Sequence, residues 1–430
     1  MSRGSRALER ILKTISIAIV VTASSPSSAR AEEAAGADAP SESVDASSTG
    51  NWWDQMIPPT SLTGDLGRVD LHGFGSWAFA DTNGNPYLGG TASSSWDNIA
   101  GGVLVSAQAF ERLWINAQIS ADTREGDSDL SLERMFVQWT FADWLKIRGG
   151  RSPHPIGIYS EVLNVGTTRP FFDLPQGVYG PTGTTTLSYD GAGVTGSIVI
   201  KDWEFAYDVY GGEAEAQFAA PYVVAVTGPI PTPGSIVNVT SPDTVGGRLQ
   251  IMPPIDGLTL GLSAYTTQAE GTVSTHFERI VYGGQFEFER ENYSLRAEYY
   301  KQEADEFKTN ADAGYVMGTV RPFGLIPVGE IGTLLDRIEI AAMYNVYAIH
   351  RVEPAPGFPI PTPKQLKNHR EWAVGLNYWF TPTFVARAEY HMVMDNIFAH
   401  EGATLLNKLG PPRDLDNETQ LVKVGLDFSF

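Results

Sequence analysis

Apolar and polar residues alternate with a period of two along most of the chain from residue 68 onward. In the final stretch, VKVGLDFSF (422–430), every second residue is apolar and the residues between are small, polar or charged. This period is typical of a β-strand with two different faces. The pattern predicts sixteen strands, at 68–82, 99–109, 111–122, 131–141, 144–151, 186–200, 203–212, 243–252, 258–269, 276–289, 291–303, 312–323, 336–350, 370–380, 383–394 and 417–430.

The predicted connections alternate between very short and long. The tight ones are at 110–112, 142–143, 201–202, 290–292 and 381–383, and the long ones include 152–185, 213–242, 352–369 and 395–416. Short turns on one side and long loops on the other are typical of an outer-membrane β-barrel. Aromatic residues bracket the tight turns, as in WTFADW (139–144), where they suit a membrane–water boundary. A soluble β-sandwich explains the alternation but not this repeated aromatic pattern. We therefore predict an all-β fold, a transmembrane antiparallel barrel over residues 67–430.

The N-terminal residues show a different pattern. Basic residues precede a short apolar run, ISIAIVVTA (15–23), and ARA (29–31) supplies the small residues of a cleavage site. The run is shorter than the roughly 20 residues of a membrane-spanning helix, which disfavours an uncleaved anchor. We predict a signal peptide over residues 1–31, cleaved after Ala31, and a flexible lead over residues 32–66.

Composition limits the classes of partner and site. The formal net charge of −20 argues against nucleic acid as a partner. The chain has no cysteine, so no disulfide stabilises an exported fold. Its 7 histidines show no pair at metal-ligand spacing. We therefore predict neither a metal site nor a cofactor.

The inward face of the predicted barrel is the candidate site, because sixteen strands enclose a lumen wide enough for water. Alternation predicts basic residues on the inner face of the third to fifth strands: Arg112, Arg134, Lys146 and Arg148. An Arg-x-Glu pattern recurs on later strands: Arg296/Glu298, Arg337/Glu339 and Arg387/Glu389. Residues two apart share a face about 7 Å apart, so we expect these pairs to neutralise each other. The basic strip either favours anions or is ordinary solvated charge, and only a constriction would make it selective.

The segment from Arg151 to Gly180 is the candidate constriction. It is long for a simple exposed loop, and its apolar residues need a surface to bury against: Ile156, Ile158, Tyr159, Val162, Leu163, Phe171, Phe172, Leu174, Val178 and Tyr179. Its prolines and glycines suit a tightly bent backbone. We predict that it folds back into the barrel and sets Glu161, Arg169 and Asp173 opposite the basic strip. The alternative is an external lid or a subunit-contact loop.

The same segment carries a family resemblance. GRSPHPIGIYSE (150–161) and VGTTRPFFDLPQGVYG (165–180) resemble the pattern GR-x-x-x-P-x-G-x-Y-x-E…V…R-P…LPQ-x-x-Y of a group of proteobacterial trimeric porins, loosely allied to the phosphate-selective porins. The resemblance implies a sixteen-stranded homotrimeric porin whose third extracellular loop enters the channel. The dense lysine ladder of the phosphate-selective members is missing from the predicted inner face, so the resemblance does not extend to phosphate specificity.

Other motifs indicate no chemistry. GAGVTG (191–196) matches G-x-G-x-x-G, but a strand follows it where a dinucleotide site needs a helix. We predict a passive outer-membrane channel for small hydrophilic solutes, with a preference for anions, and no enzymatic activity. The predicted partners are two further copies of the chain, outer-membrane lipid and lipopolysaccharide, and the barrel-assembly machinery through terminal Phe430. The alternatives are an outer-membrane hydrolase with a Ser–His pair at inward-facing His391, and a structural or adhesive barrel.

Overall fold

The computed structural model describes residues 60–64, 67–83, 87–88, 95–123, 129–180, 183–219, 236–270, 276–304, 309–325, 334–351, 368–395 and 418–430. The predicted signal peptide (1–31) lies outside the described residues, and so does the predicted lead up to residue 59. None of the described helices is long and apolar enough to cross a membrane.

Sixteen strands form a closed antiparallel barrel, as the sequence predicted. They are β2 (Gly67–Thr82), β3 (Ser95–Phe110), β4 (Leu113–Asp122), β5 (Asp129–Ala142), β6 (Leu145–Pro153), β7 (Ser188–Ile200), β8 (Trp203–Ala219), β9 (Ile236–Met252), β10 (Leu258–Glu270), β11 (His276–Arg290), β12 (Tyr293–Ala304), β13 (Thr309–Val320), β14 (Ile338–Arg351), β15 (Asn368–Thr381), β16 (Phe384–Met394) and β17 (Glu418–Ser429). Each pairs with the next along the chain, and β17 pairs with β2 to close the sheet. The predicted loop at 213–242 is shorter than expected, because β8 and β9 extend into it.

A further strand, β1 (Thr60–Gly64), pairs with the first residues of β2. This corrects the prediction of a flexible lead as far as residue 66. The pairing of β17 with β2 ends at Ser429↔Phe74, followed by backbone hydrogen bonds between Gly73 and Phe430. The start of β2 would otherwise leave backbone groups unpaired on that edge, and β1 occupies it. The strand is only 5 residues long, too short for a recognisable alternation.

The two faces of the wall follow the predicted alternation. On β17, Val422 and Phe428 are 45% and 46% exposed on the outer surface, whereas Lys423 and Asp427 are 1% and 0% exposed. Exposed aromatic side chains flank the tight turns that join neighbouring strands: Phe110, Trp144, Trp203, Tyr293 and Phe380. The barrel therefore presents an apolar outer face with an aromatic belt at the tight-turn end, which is the arrangement that lipid requires.

The interior of the barrel is filled, not widely open. Inward-facing tyrosines on β7, β8, β10, β12, β13 and β14 are buried: Tyr189, Tyr210, Tyr265, Tyr300, Tyr315 and Tyr347. Inward polar side chains are buried as well, including Asn116 and Arg279, each 1% exposed. These side chains pack against the segment between β6 and β7. The wide, water-filled lumen expected from the strand number is therefore much reduced.

The seam between β17 and β2 depends on close packing around glycines. Phe428 and Phe430 lie over Gly75 and Gly73 on the neighbouring strand, where a side chain would overlap their rings. A Cβ atom added at Gly425 would collide with backbone atoms of Trp77. The aromatic residues at the end of the chain thus cover the glycines of the first barrel strand.

We expect Gly425→Ala to weaken closure of the barrel, because the added methyl group meets fixed backbone and overpacking costs about 1–3 kcal/mol. Gly149→Ala is the matched control, since a Cβ atom there meets nothing within 4 Å. The measurement is the urea concentration at which the folded, gel-shifted barrel is lost in detergent. Equal midpoints for the two variants would contradict this account of the seam.

Candidate functional site

The segment between β6 and β7 lies inside the barrel. It contains a 3₁₀ turn (Gly166–Thr168) and one short helix, α1 (Gln176–Tyr179). Most of the apolar residues that predicted an inward fold are buried: Ile156, Tyr159, Val162, Phe171, Phe172, Leu174, Val178 and Tyr179. Ile158 and Leu163 are partly buried and pack against the same cluster. The inward fold of this segment, which we call the inner loop, is therefore confirmed.

Two glutamates of the wall hold the backbone of the inner loop. Glu298 on β12 accepts hydrogen bonds from the backbone N–H of Ile158 at 2.7 Å and from the Tyr179 hydroxyl at 2.5 Å. Glu389 on β16 accepts one from the N–H of Phe172 at 2.6 Å. Irregular backbone inside a barrel must find such partners, because a buried unpaired amide is costly. These carboxylates supply the hydrogen-bond acceptors that a neighbouring strand supplies in a regular sheet.

Further contacts anchor the loop to β15, β16 and β17. Arg387 donates to the Gly166 carbonyl at 3.0 Å and forms an ion pair with Asp427 at 2.6 Å. The Asp427 carboxylate lies so close to Gly166 that no Cβ atom would fit there. Asn377 on β15 donates to the Pro170 carbonyl at 3.0 Å. Hydrogen bonds with side chains of β12, β15 and β16 thus hold the inner loop against the inner face of the wall.

The predicted basic strip meets an acidic residue of the inner loop. Arg134 on β5 donates to the Glu161 carbonyl at 2.5 Å, and Arg148 on β6 lies 3.6 Å from the Glu161 carboxylate. Arg248 on β9 binds the same carboxylate at 3.2 Å and Asp208 at 2.9 Å. The structure therefore brings Arg134, Arg148 and Glu161 together as expected. Sequence reasoning missed Arg248, whose only signal was its inward position on a glycine-rich strand.

The other predicted loop charges lie elsewhere. Asp173 forms an ion pair with Lys423 on β17 at 2.5 Å, away from the basic strip on β5 and β6. Arg169 donates to the Leu163 carbonyl at 2.8 Å, within the loop itself. The expectation that all three loop charges face the basic strip is therefore wrong for these two. Lys146 is half-buried on the inner face of β6, as predicted.

Two predicted lumen residues lie outside the interior. Arg112 is exposed in the turn between β3 and β4, because the strands end before it and the alternation cannot be continued through a turn. Arg151 shares the outer face of β6 with Ile147 and forms an ion pair with Asp190 at 3.4 Å. It lies three positions after inward-facing Arg148, so the period of two places it on the other face.

The Arg-x-Glu pairs do not neutralise each other as predicted. Arg296 binds Glu287 at 2.9 Å and Glu289 at 2.6 Å on the neighbouring strand. Arg387 binds Asp427, Glu339 pairs with Arg321 at 3.5 Å, and Glu298 and Glu389 bind the inner loop. For Arg296 the reason is distance, since Glu287 lies directly opposite it on the paired strand and is closer than Glu298, two residues along the same strand.

His154 lies at the start of the inner loop in an aromatic environment. Its ring bonds to the Thr186 hydroxyl at 2.8 Å and the Tyr210 hydroxyl at 2.5 Å, and the Tyr265 ring stands edge-on 4.8 Å away. Burial first, and then the positive charges of Arg279 and Arg248, lower the pKa of His154 to about 3. The imidazole is therefore neutral and serves as a hydrogen-bonding centre at the base of the loop.

A second polar group, on β15 and β16, surrounds His391. Its two ring nitrogens lie 2.6 Å from a Glu371 oxygen and 3.1 Å from a Glu389 oxygen. Glu371 also contacts His369 at 3.2 Å and the Tyr87 hydroxyl at 3.0 Å. Both nitrogens of His391 thus face carboxylates, which leaves no ring nitrogen for a serine. Within the described residues, no group of three or more His, Asp or Glu is placed to hold a metal ion.

No protein-family model matches the sequence, and a sequence comparison with curated proteins finds no match. Solved structures do match by shape. OmpF of Salmonella typhi, in complex with daunomycin, gives a TM-score of 0.53 at 14% identity, over 86% of this chain and 100% of that chain.

Two other similar structures have lower scores. OmpT, an outer membrane protein of Vibrio cholerae, gives a TM-score of 0.49 at 12% identity, over 86% of this chain and 100% of that chain. An anion-selective porin from Comamonas acidovorans gives 0.47 at 12% identity, over 84% and 99%. We base the comparison on OmpF, and at such low identity it concerns the fold alone. The chain is a porin-like barrel of sixteen antiparallel strands.

Proposed function

We propose that this chain is a diffusion porin of the Gram-negative outer membrane, through which small hydrophilic solutes pass down their gradients. The observation that carries the proposal is the inner loop, a long segment bound inside a closed barrel against charged side chains of the wall. A closed barrel with an apolar outer face suits a lipid bilayer. A loop that narrows the interior turns such a barrel into a size-limited path.

The membrane assignment is supported by the outer surface. Within the described residues, each of the sixteen barrel strands pairs with a strand on both sides, as hydrocarbon requires. The exposed aromatic belt at the tight-turn end suits the membrane–water boundary. The predicted signal peptide fits export to this compartment. We propose that outer-membrane lipid and lipopolysaccharide surround the barrel, and that terminal Phe430 is read by the barrel-assembly machinery.

The anion preference is supported by the geometry beside Glu161. On this side of the interior, Arg134, Arg148 and Lys146 lie on the wall beside the inner loop, which reduces the space in front of them. Charges at a constriction are less screened than in a wide pore. We propose that the excess of basic groups at this point favours anions.

An ion pair on the outer face of β6 and β7 supports assembly into a homotrimer. The ion pair of Arg151 with Asp190 lies on the outer face, in line with apolar Ile147. An arginine on a lipid-facing surface costs roughly 2–4 kcal/mol near the bilayer centre. We propose that this face contacts another copy of the chain, which removes the pair from lipid.

Absence of catalysis belongs to the same proposal. The hydrolase alternative required a serine beside His391, and the carboxylates of Glu371 and Glu389 occupy both of its ring nitrogens. A structural or adhesive barrel remains the second alternative. It differs from a porin in one measurable property, which is conduction.

We expect the mature protein, refolded in detergent and added to a planar bilayer, to give stepwise single-channel conductance. The steps should be smaller than those of a barrel with an open lumen, because the inner loop fills much of the interior. A correctly folded barrel that never conducts would overturn the proposed function. Phosphate, small carboxylates and sugars, tested as solutes, would define the substrate range.

The double variant Arg134→Gln/Arg148→Gln should move the reversal potential in a salt gradient toward that of a cation-preferring channel. Without the two arginines, less positive charge offsets the Glu161 carboxylate at the constriction. Arg112→Gln is the matched control, since Arg112 is exposed in a turn. A reversal potential that is unchanged in the double variant would reject the basic strip as the source of selectivity.

Replacing residues 156–179 with a short glycine-serine linker should raise single-channel conductance, because the segment occupies the interior. Loss of its apolar residues also exposes the tyrosines of the wall, so the variant needs a folding control by gel mobility. A gentler variant, Glu298→Ala, removes the anchors of Ile158 and Tyr179 and should increase current noise. Unchanged conductance in a folded deletion variant would place the path away from the loop.

A further inference from the structure

The contacts of His391 fix its protonation. Each ring nitrogen lies within hydrogen-bond distance of a carboxylate oxygen, at 2.6 Å from Glu371 and 3.1 Å from Glu389. An ionised carboxylate only accepts hydrogen bonds, so with both glutamates ionised each ring nitrogen carries a proton. The ring is therefore an imidazolium shared by two carboxylates, and its side chain is 0% exposed.

A single residue, Glu389, links this imidazolium to the inner loop through hydrogen bonds. Glu389 uses its second oxygen to accept the N–H of Phe172 at 2.6 Å. The Phe171 ring stands edge-on to the His391 ring at 6.0 Å. Lys423, directly opposite Glu389 in the strand register, holds Asp173 at 2.5 Å. Three consecutive loop residues are thus fixed around one charged group.

The charged groups near His391 come from every element packed against it. Glu371 and His369 belong to β15, Glu389 to β16 and Lys423 to β17, while the loop supplies Asp173. The connection between β2 and β3 supplies Tyr87, whose hydroxyl binds Glu371, and Leu88, whose carbonyl accepts from Lys423 at 3.0 Å. His391 is the one cation of this group that bridges the two glutamates.

We propose that His391 is the positioning residue of the inner loop, and that its imidazolium sets the width of the path by holding Glu389 under Phe172. This inference rests on the proposed channel function. Without the proton, Glu371 and Glu389 face each other with no cation between them, and the bond from Glu389 to Phe172 is lost as the carboxylates separate. A buried ion pair that loses one partner is strongly destabilised.

The variant His391→Gln tests this positioning role, because glutamine places no positive charge between the two carboxylates. We expect this variant to conduct more than the parent protein.

His350→Gln is the matched control. His350 also pairs with a carboxylate, that of Asp312 at 2.8 Å, but its side chain is 56% exposed. It should keep the conductance of the parent protein. A His391→Gln channel with the conductance of the parent would overturn the proposal.

A second measurement separates this inference from the channel function. The chain has no cysteine, so Leu174→Cys introduces a single reporter at a position that is buried in the loop. Its maleimide labelling rate, divided by that of exposed Arg112→Cys, reports release of the loop without any need for conduction. His391→Gln should raise this ratio about tenfold, as expected for a lost buried hydrogen bond, whereas His350→Gln should not.

The outcomes are distinct. If no variant conducts but the labelling ratio rises in His391→Gln, the channel function fails and the positioning role stands. An unchanged ratio in a folded His391→Gln protein overturns the positioning role, whatever the conductance. If that variant does not fold, the ratio is measured in Glu389→Ala, which removes the acceptor of the Phe172 N–H. An unchanged ratio there overturns the proposal as well.

Discussion

The structure depends on closure of the sheet by hydrogen bonds between its last and first barrel strands. Every backbone amide of a lipid-exposed wall needs a partner within the protein, and the pairing of β17 with β2 supplies the final set. The glycines of β2 let Phe428 and Phe430 lie flat on the neighbouring strand. Closure in turn creates an enclosed interior, where the apolar side chains of the long connection after β6 are buried.

The need of buried backbone groups for hydrogen-bond partners also explains the charged side chains of the interior. The inner loop has little regular structure, and the carboxylates of Glu298 and Glu389 accept hydrogen bonds from its N–H groups. Burying a carboxylate is costly unless it is paired and hydrogen-bonded. Arg248 pairs with Glu161 and Asp208, His391 with Glu371 and Glu389, and Lys423 with Asp173. In the proposed channel, the charges that hold the inner loop in place would also meet a passing solute.

The predictions from the sequence were right for features that depend on the pattern within a single segment. The period of two located all sixteen barrel strands, and apolar residues such as Ile156 and Phe171 required the loop to bury. These predictions failed where they depended on which residues pair with each other. Arg296 pairs across the sheet with Glu287 and not with Glu298, because cross-strand distances are shorter. Arg112 was misplaced because a turn interrupts the alternation. Arg151 was misplaced because the alternation, continued from Arg148, puts it on the outer face.

The sequence by itself determined the barrel, its outward apolar face, the inward loop and the terminal aromatic residue. Each of these follows from a local pattern, since period, turn length and burial of apolar side chains are properties of short segments. Only the tertiary structure decided that Glu161 meets Arg248 and that His391 lies between two glutamates. Those contacts join residues that are far apart in the chain, and strand register and loop path set them. No local pattern encodes either quantity.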